Sequence, residues 1–393
     1  MDLNQKSSED FSLSEGGPFF KALVKTRLIN QPARLALLSL CITWLPLVII
    51  TMFEGAVYSG TALPFLKDIA MQARIMVAIP ILIMIRHTID GKVNKVIRYF
   101  SVALLGPEEQ KIIVKTALQR AKKLTNSALS EIILAFIVVI YTISLVKTSS
   151  FGELQRGTNS WMAVSQGGRL NLTLAGQWAV FISIPIFQFL FFRWIWRYFV
   201  WILLLFRLAR AHLILRPTHP DKAGGLGILM QAQRSFNMLF VAGSVVVSGE
   251  LIIRLTNNPD SFLTVRNEII GFIITCIILV LLPLLFFMGK LIKTKQEALI
   301  DMSKLGVELS SKFERDWESD EPIEKRVTEN EVDPSMLVDY IGVFDSVQQM
   351  RPFPITFRDI VGLAIPLFVP FVPLLIIHFS VVELLQKILK LLV

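Results

Sequence analysis

The chain has 393 residues, of which 53% are hydrophobic and 18% charged, with a net charge of +9 and a mean hydropathy of +0.58. Soluble domains hold about 25% charged residues, so this composition argues against a soluble globular domain. It also turns the basic excess from a nucleic-acid signal into a topological one, because Lys and Arg stay on the cytoplasmic side of membrane spans.

The opening stretch, residues 1–18, is polar and has no apolar core, which predicts a disordered tail rather than a cleavable signal peptide. Residues 19–86 contain two apolar runs of spanning length, Leu35–Val57 and Ile69–Ile85. Residues 87–127 read as a cytoplasmic helical hairpin. Its second arm starts at Gly106, Pro107, Glu108 and Glu109, a helix-start pattern, and meets no breaker before the third span, Ala128–Val146, has ended. Spans three to six fill 128–290, the fourth starting near Gln177, the fifth covering Phe236–Leu255 and the sixth Glu268–Met288. Cys41 and Cys276, the only cysteines, both fall in spans, which leaves neither a disulfide framework nor a cysteine zinc site.

The sixth span runs on into a cytoplasmic helical region, 291–357, as a stripe of Leu299, Met302, Leu305, Leu309, Phe313 and Trp317. A helix led in by Asp333 and Pro334 can cover that stripe with Leu337, Ile341, Phe344 and Val347, after an acidic linker at 318–333. The acidic 290–359 and the basic 86–127 either dock on each other or present solvated faces. Residues 358–393 hold a seventh apolar segment, Ile360–Phe379, broken by Pro366, Pro370 and Pro373, then an amphipathic C-terminal helix. The broken segment either crosses the membrane or turns back, and a crossing is the preferred reading. The fold class is therefore an all-α polytopic helical membrane protein of about seven membrane segments with helical cytoplasmic extensions. Most of the 40 Lys and Arg residues lie on one side of these spans, with Lys67, Lys147, Arg156, Arg169, Arg254 and Arg266 on the other, which places the N-terminus in the cytoplasm.

Charges inside a membrane are costly and carry a functional hypothesis by default. Glu54, Glu250 and Arg254 fall toward outer ends of spans and Arg74 in the outer half of the second; together they form a candidate outer vestibule, with Glu250 and Arg254 spaced i, i+4 to pair. The competing reading is structural pairing or snorkelling to headgroups. Ala242, Gly243, Ser244, Ser248 and Gly249 read as close helix packing. Arg193 and Arg197, among Trp194, Trp196, Tyr198 and Trp201, read as an interfacial belt whose arginines face lipid phosphates.

The stretch "LRPTHPDKAGGLGIL" joins the fourth and fifth spans at the cytoplasmic side. His219, Pro220, Asp221 and Lys222 spell the J-domain signature. A J-domain requires a basic soluble helix before it, and here a membrane helix precedes. Three other readings stand. His87, Asp90, His212, His219 and Asp221, all expected at one depth, could ligate a metal. The glycines before a helix, with Lys222 and Arg216 nearby, could hold an anion on backbone amides. Alternatively, Pro217 and Pro220 end one helix, Asp221 serves as an N-cap or a turn residue, and Gly224, Gly225 and Gly227 allow a sharp reversal, as a loop or hinge. No Ser/His/Asp set or HExxH is present, which weighs against an enzyme, and no cofactor is specified. The expected partners are the lipid bilayer, a second copy of the chain, and a cytoplasmic protein, with no nucleic acid.

On His219–Gly227 and the amphipathic C-terminus, the chain resembles a group of uncharacterised bacterial multi-spanning membrane proteins with an H-P-D-x-A-G-G-L-G loop between spans. The resemblance extends over most of residues 20–393 and implies a bacterial inner-membrane setting, without an assigned activity. The functional expectation is a channel- or transporter-like conduit for ions or small solutes. The alternatives are a sensor or scaffold working through the long helices, and a metal-dependent membrane enzyme.

Overall fold

The computed structural model describes residues 11–28, 31–104, 108–147, 160–166, 169–258, 262–317 and 334–378. Its helices, in chain order, are α1 (Pro18–Lys25), α2 (Pro32–Phe53), α3 (Ile69–Leu104), α4 (Glu108–Asn126), α5 (Ala128–Lys147), α6 (Leu174–Arg210), α7 (Ile228–Asn257), α8 (Phe262–Arg315), α9 (Pro334–Gln348) and α10 (Phe357–Ile377). Six of them, α2, α3, α6, α7, α8 and α10, are long and apolar enough to cross a membrane, and α4 with α5 makes a candidate seventh as a pair bent by 45°. The protein is thus a polytopic helical membrane protein. A short antiparallel hairpin, β1 (Ala163–Gln166) with β2 (Arg169–Leu172), had no counterpart in the sequence reading.

The helix expected to run unbroken from Pro107 through the third span is broken at Ser127. Asn and Ser are poor helix interiors, and the Thr125 carbonyl accepts a hydrogen bond from Arg197 (2.8 Å). The fourth-span helix stops at Arg210, well before Pro217. The chain then extends, with Ala211, Leu213 and Leu215 buried and His212 and Arg216 exposed in alternation. The sixth span does continue outward: α8 has 54 residues, about 80 Å at 1.5 Å per residue. α9 packs on this extension, where the Tyr340 hydroxyl donates to the Met302 carbonyl. α4 packs instead on α6.

The tail expected over 1–18 is corrected from Phe11 onward. Phe11 and Leu13 are buried, and residues 12–16 are bonded into the helix bundle. Residues 1–10, the linker 318–333 and the C-terminal helix beyond 378 lie outside the described residues.

The proline-broken segment runs beside α7 without turning back. Arg234 pairs with Asp359 (2.5 Å), the Asn237 amide donates to the Leu363 carbonyl (3.0 Å), and the Ser248 hydroxyl donates to the Pro370 carbonyl (2.5 Å). Both sets of numbers rise together, so α10 lies parallel to α7. Pro366, Pro370 and Pro373 disturb the helical ladder, and Asn237 and Ser248 bond carbonyls along this disturbed stretch. α10 starts with a capping box between Thr356 and Asp359. A crossing predicts that single cysteines at Phe357 and Ile377, in a background lacking Cys41 and Cys276, react with an impermeant thiol reagent from opposite sides of the membrane. Labelling of both from one side would restore the hairpin.

Candidate functional site

The 211–227 corner is built around one carboxylate. Lys222, Gly224 and Gly225 have φ of 53°, 62° and 95°, in the left-handed region that glycine adopts freely. This curl aims three amides at Asp221: Ala223 N–H (2.8 Å), Gly225 N–H (3.1 Å) and Gly227 N–H (2.8 Å). Asp221 therefore fills the amino end of α7 with the chain's own anion, and the anion-site reading of these glycines is overturned. His219 Nδ1 lies 2.8 Å from Asp221 Oδ1 and donates to it when protonated, which turns Nε2 toward the Tyr99 hydroxyl at 3.5 Å. Burial pushes the Asp221 carboxyl up, but the three amides and His219 together outweigh it and hold the group below its ordinary value.

The corner is fastened from outside as well. Arg351 donates its backbone N–H to the Lys222 carbonyl (2.8 Å) and its guanidinium to the Asp221 carbonyl (2.6 Å), while Lys222 Nζ donates to Gln349. A Cβ on Gly225 would come within 3.0 Å of the Tyr99 hydroxyl. Beside the corner opens a polar pocket of about 560 Å³ edged by Tyr99, His219, Arg234, Arg351, Thr356 and Asp359. The arginine at 351 had not been singled out from the sequence, because its partners lie some 130 residues away along the chain.

The metal candidates do not converge. Among the described residues, no group of three or more His, Cys, Asp or Glu is placed to hold a metal ion. Tyr99 stands beside His219, and Asp90 precedes it by nine residues on α3, about 14 Å at helical rise. Asp90 is instead taken up by the Ser12 hydroxyl (2.9 Å), the Leu13 and Ser14 amides (both 3.0 Å) and the Ser14 hydroxyl. His87 and His212 are exposed.

The vestibule set also divides. Glu250 pairs not with Arg254 but with Arg74 across the seam between α3 and α7 (2.6 Å). Arg254 pairs with Glu268 (2.9 Å), and Glu54 accepts the Leu174 amide (2.8 Å) at the start of α6. Asp68, which the sequence reading passed over, caps α3 through the Met71 amide (3.0 Å) and holds the indole of Trp161 (2.9 Å). Burial pushes its carboxyl up. Two π-helical turns, Ala73–Ala78 in α3 and Ala179–Ser183 in α6, both pack on the Pro32–Thr43 half of α2.

The arginines assigned to lipid phosphates are buried in protein. Arg193 is 6% exposed and bonds Glu131 (3.0 Å); Arg197 is 1% exposed and lies 3.8 Å from the same carboxylate. Both also donate to carbonyls of the 14–16 stretch. Their aromatic neighbours are core too: Trp194 donates to the Leu82 carbonyl (2.7 Å), and Trp201 is fully buried. Tight binding by a strap of chain, not headgroup contact, is what these cations do.

No protein-family model, no curated protein and no solved structure matches this chain.

Proposed function

We propose that the protein is a channel- or transporter-like conduit for ions or small charged solutes, with its pathway along the seam of α3 and α7. The observation that carries this reading is the Arg74–Glu250 pair, which joins the two helices within their apolar spans, with side chains 18% and 33% exposed. Ionisable groups at that depth are costly, and pairs of them mark ion or substrate pathways. The adjacent Ala73–Ala78 turn is π-helical, a distortion that recurs at functional sites. The other end of the same helix pair borders the polar pocket through Tyr99 and Arg234. The N-terminus is cytoplasmic in this reading, from the distribution of Lys and Arg, and a bacterial inner membrane follows from the H-P-D-x-A-G-G-L-G resemblance. Glu54 holds the start of α6 and Arg254 pairs with Glu268, and both drop out of the vestibule.

A second reading is favoured by the surface of α8 and α9, where Val307, Val338 and Ile341 are 72%, 67% and 57% exposed on an extension beyond the apolar spans. Such a surface suits a sensor or scaffold with a protein partner or a second copy. One assay separates the two. In liposomes under an imposed gradient, Glu250→Gln and Arg74→Gln each reduce flux about tenfold, the equivalent of one broken interaction of 1.4 kcal/mol. Folded protein that passes no ion or solute under any gradient leaves the scaffold reading in place and removes the conduit.

A further inference from the structure

A cavity near the N-terminal helices is apolar and distinct from both the corner pocket and the Arg74–Glu250 seam. It measures about 660 Å³ and is part-open. Its walls are Leu35 and Ile42 of α2, Leu82 of α3, Val138 of α5 and Phe189 of α6, with Phe19 and Phe20 of α1 closing one end. Four of these elements are spans or a candidate span, so the cavity lies at membrane depth. The walls α2 and α5 also present Leu38 and Phe136, 42% and 64% exposed, toward the bilayer. An acyl chain can enter a cleft of this kind sideways without leaving hydrocarbon.

The charged groups of the cleft are gathered rather than scattered. Arg86, His87, Arg193 and Ser14 line it, and Arg86 and Arg193 sit over the rings of Phe20 and Phe19 at 5.2 Å each. Arg86 pairs with Glu15 (3.5 Å) and Asp90 (3.8 Å), and the segment that follows adds cations only. Between Gly16 and Phe53 the chain carries Lys21, Lys25, Arg27 and Arg34 and no acidic residue, and all four are exposed. An apolar slot that ends at a basic rim matches one molecule class: acyl chains joined to a negatively charged head. Rim cations of this sort contribute about 1 kcal/mol each toward an anionic lipid surface.

We propose that this cleft is a binding site for an anionic phospholipid, with its acyl chain among α2, α5 and α6 and its headgroup at the end lined by Arg86 and His87, beside the exposed Lys21 of α1 and Arg34 of α2. The proposal is independent of the conduit reading, since none of its residues belongs to the α3–α7 seam pair.

The test uses the full chain, purified and delipidated in detergent, titrated with palmitoyl-oleoyl phosphatidylglycerol, the matching phosphatidylcholine and free oleate, and read by native mass spectrometry. Phosphatidylglycerol is expected to bind at least about tenfold more tightly than phosphatidylcholine, and a Lys21→Gln/Arg34→Gln double variant to lose about tenfold of that preference. Ala135→Trp fills the cleft from α5, and Ser39→Phe fills it from the opposite wall; each is expected to abolish phosphatidylglycerol binding while leaving the melting temperature within a few degrees. Equal retention of the two phospholipids marks the cleft as ordinary lipid-facing surface and overturns the proposal. So does tighter binding of oleate than of phosphatidylglycerol, or phosphatidylglycerol binding unchanged in both filled variants.

Discussion

Asp221→Ala is expected to destabilise the protein by about 3–4 kcal/mol, because it strips the acceptor from three amides of a largely buried corner at once. Each unsatisfied donor costs about 1–3 kcal/mol, and the sum is tempered here because the carboxylate side chain is 21% exposed and water can replace part of it. Asp221→Asn keeps one acceptor and the shape, and is expected to cost about half as much. The effect depends on pH with a defined sign. The folded group titrates below its ordinary 3.8, since the Gly227, Ala223 and Gly225 amides and His219 outweigh the rise from burial. Between the folded and the unfolded values the unfolded chain binds the proton, so stability rises with pH there. The contribution of Asp221 is complete above the unfolded value and is lost as pH falls through the folded one. Melting curves in detergent at pH 7 and pH 3, followed by the helix signal, should therefore show wild type losing more stability on acidification than Asp221→Asn. Equal acid losses would mean that the corner does not depend on the charge.

The corner also illustrates what a sequence can and cannot disclose. That Asp221 serves a turn and that glycines reverse the chain is written into local residue types, because side-chain-to-backbone turn bonds and positive φ are local physics; the helix itself starts only at Ile228, with Gly227 and not Asp221 at its cap position. The same holds for the spans, whose apolar runs need no partner to be recognised. The long α8 and its partner α9 were legible for a related reason: a stripe at helical spacing demands a cover. What failed were pairings. Glu250 and Arg254 satisfy an i, i+4 rule that is worth a few tenths of a kcal/mol, and each found a nearer partner on another helix. His87, Asp90 and His219 were set at one depth by counting from span ends. The helix α3 continues past the apolar run to Leu104, which separates Asp90 from the corner along the helix. Arg193 and Arg197 lie in an aromatic run that has the composition of a membrane belt. Besides Glu131, their actual partners are backbone carbonyls at 14–16 and at Thr125, and a carbonyl carries no sequence signal. Two weak signs were available: a glycine pair ahead of Pro18, and Glu131 standing alone in the first turn of an otherwise apolar span.

That solitary acid yields the other large expected effect. Glu131 is 5% exposed, accepts from Arg193 (3.0 Å) and from the Phe19 amide (2.7 Å), and lies 3.8 Å from Arg197. Glu131→Ala leaves two buried guanidinium groups with their nearest carboxylate removed, and breaking such a pair from one side costs about 3–5 kcal/mol. The loss is expected to appear first in the strap, residues 11–17, because those residues bridge the arginines to Asp90 and have no regular secondary structure of their own until α1 begins. Hydrogen exchange at Leu13 to Gly17 should accelerate, and trypsin should cut at Lys21 or Lys25, while the α7–α10 pairing through Asn237 and Ser248 keeps its protection. Glu131→Gln retains an acceptor without the charge and should fall between. An independent route to the same state is Gly16→Ala: its φ of +99° disfavours a side chain, and the added Cβ would lie 2.0 Å from Asn126 Oδ1 and 2.9 Å from the Thr125 carbonyl. If both variants melt like wild type and leave the strap protected, the arginines are held by the helices alone and the strap merely rests on them. If both release it, the carboxylate and the glycine turn are two halves of one lock, in which buried cations are neutralised partly by a charge and partly by the dipoles of an otherwise featureless piece of chain.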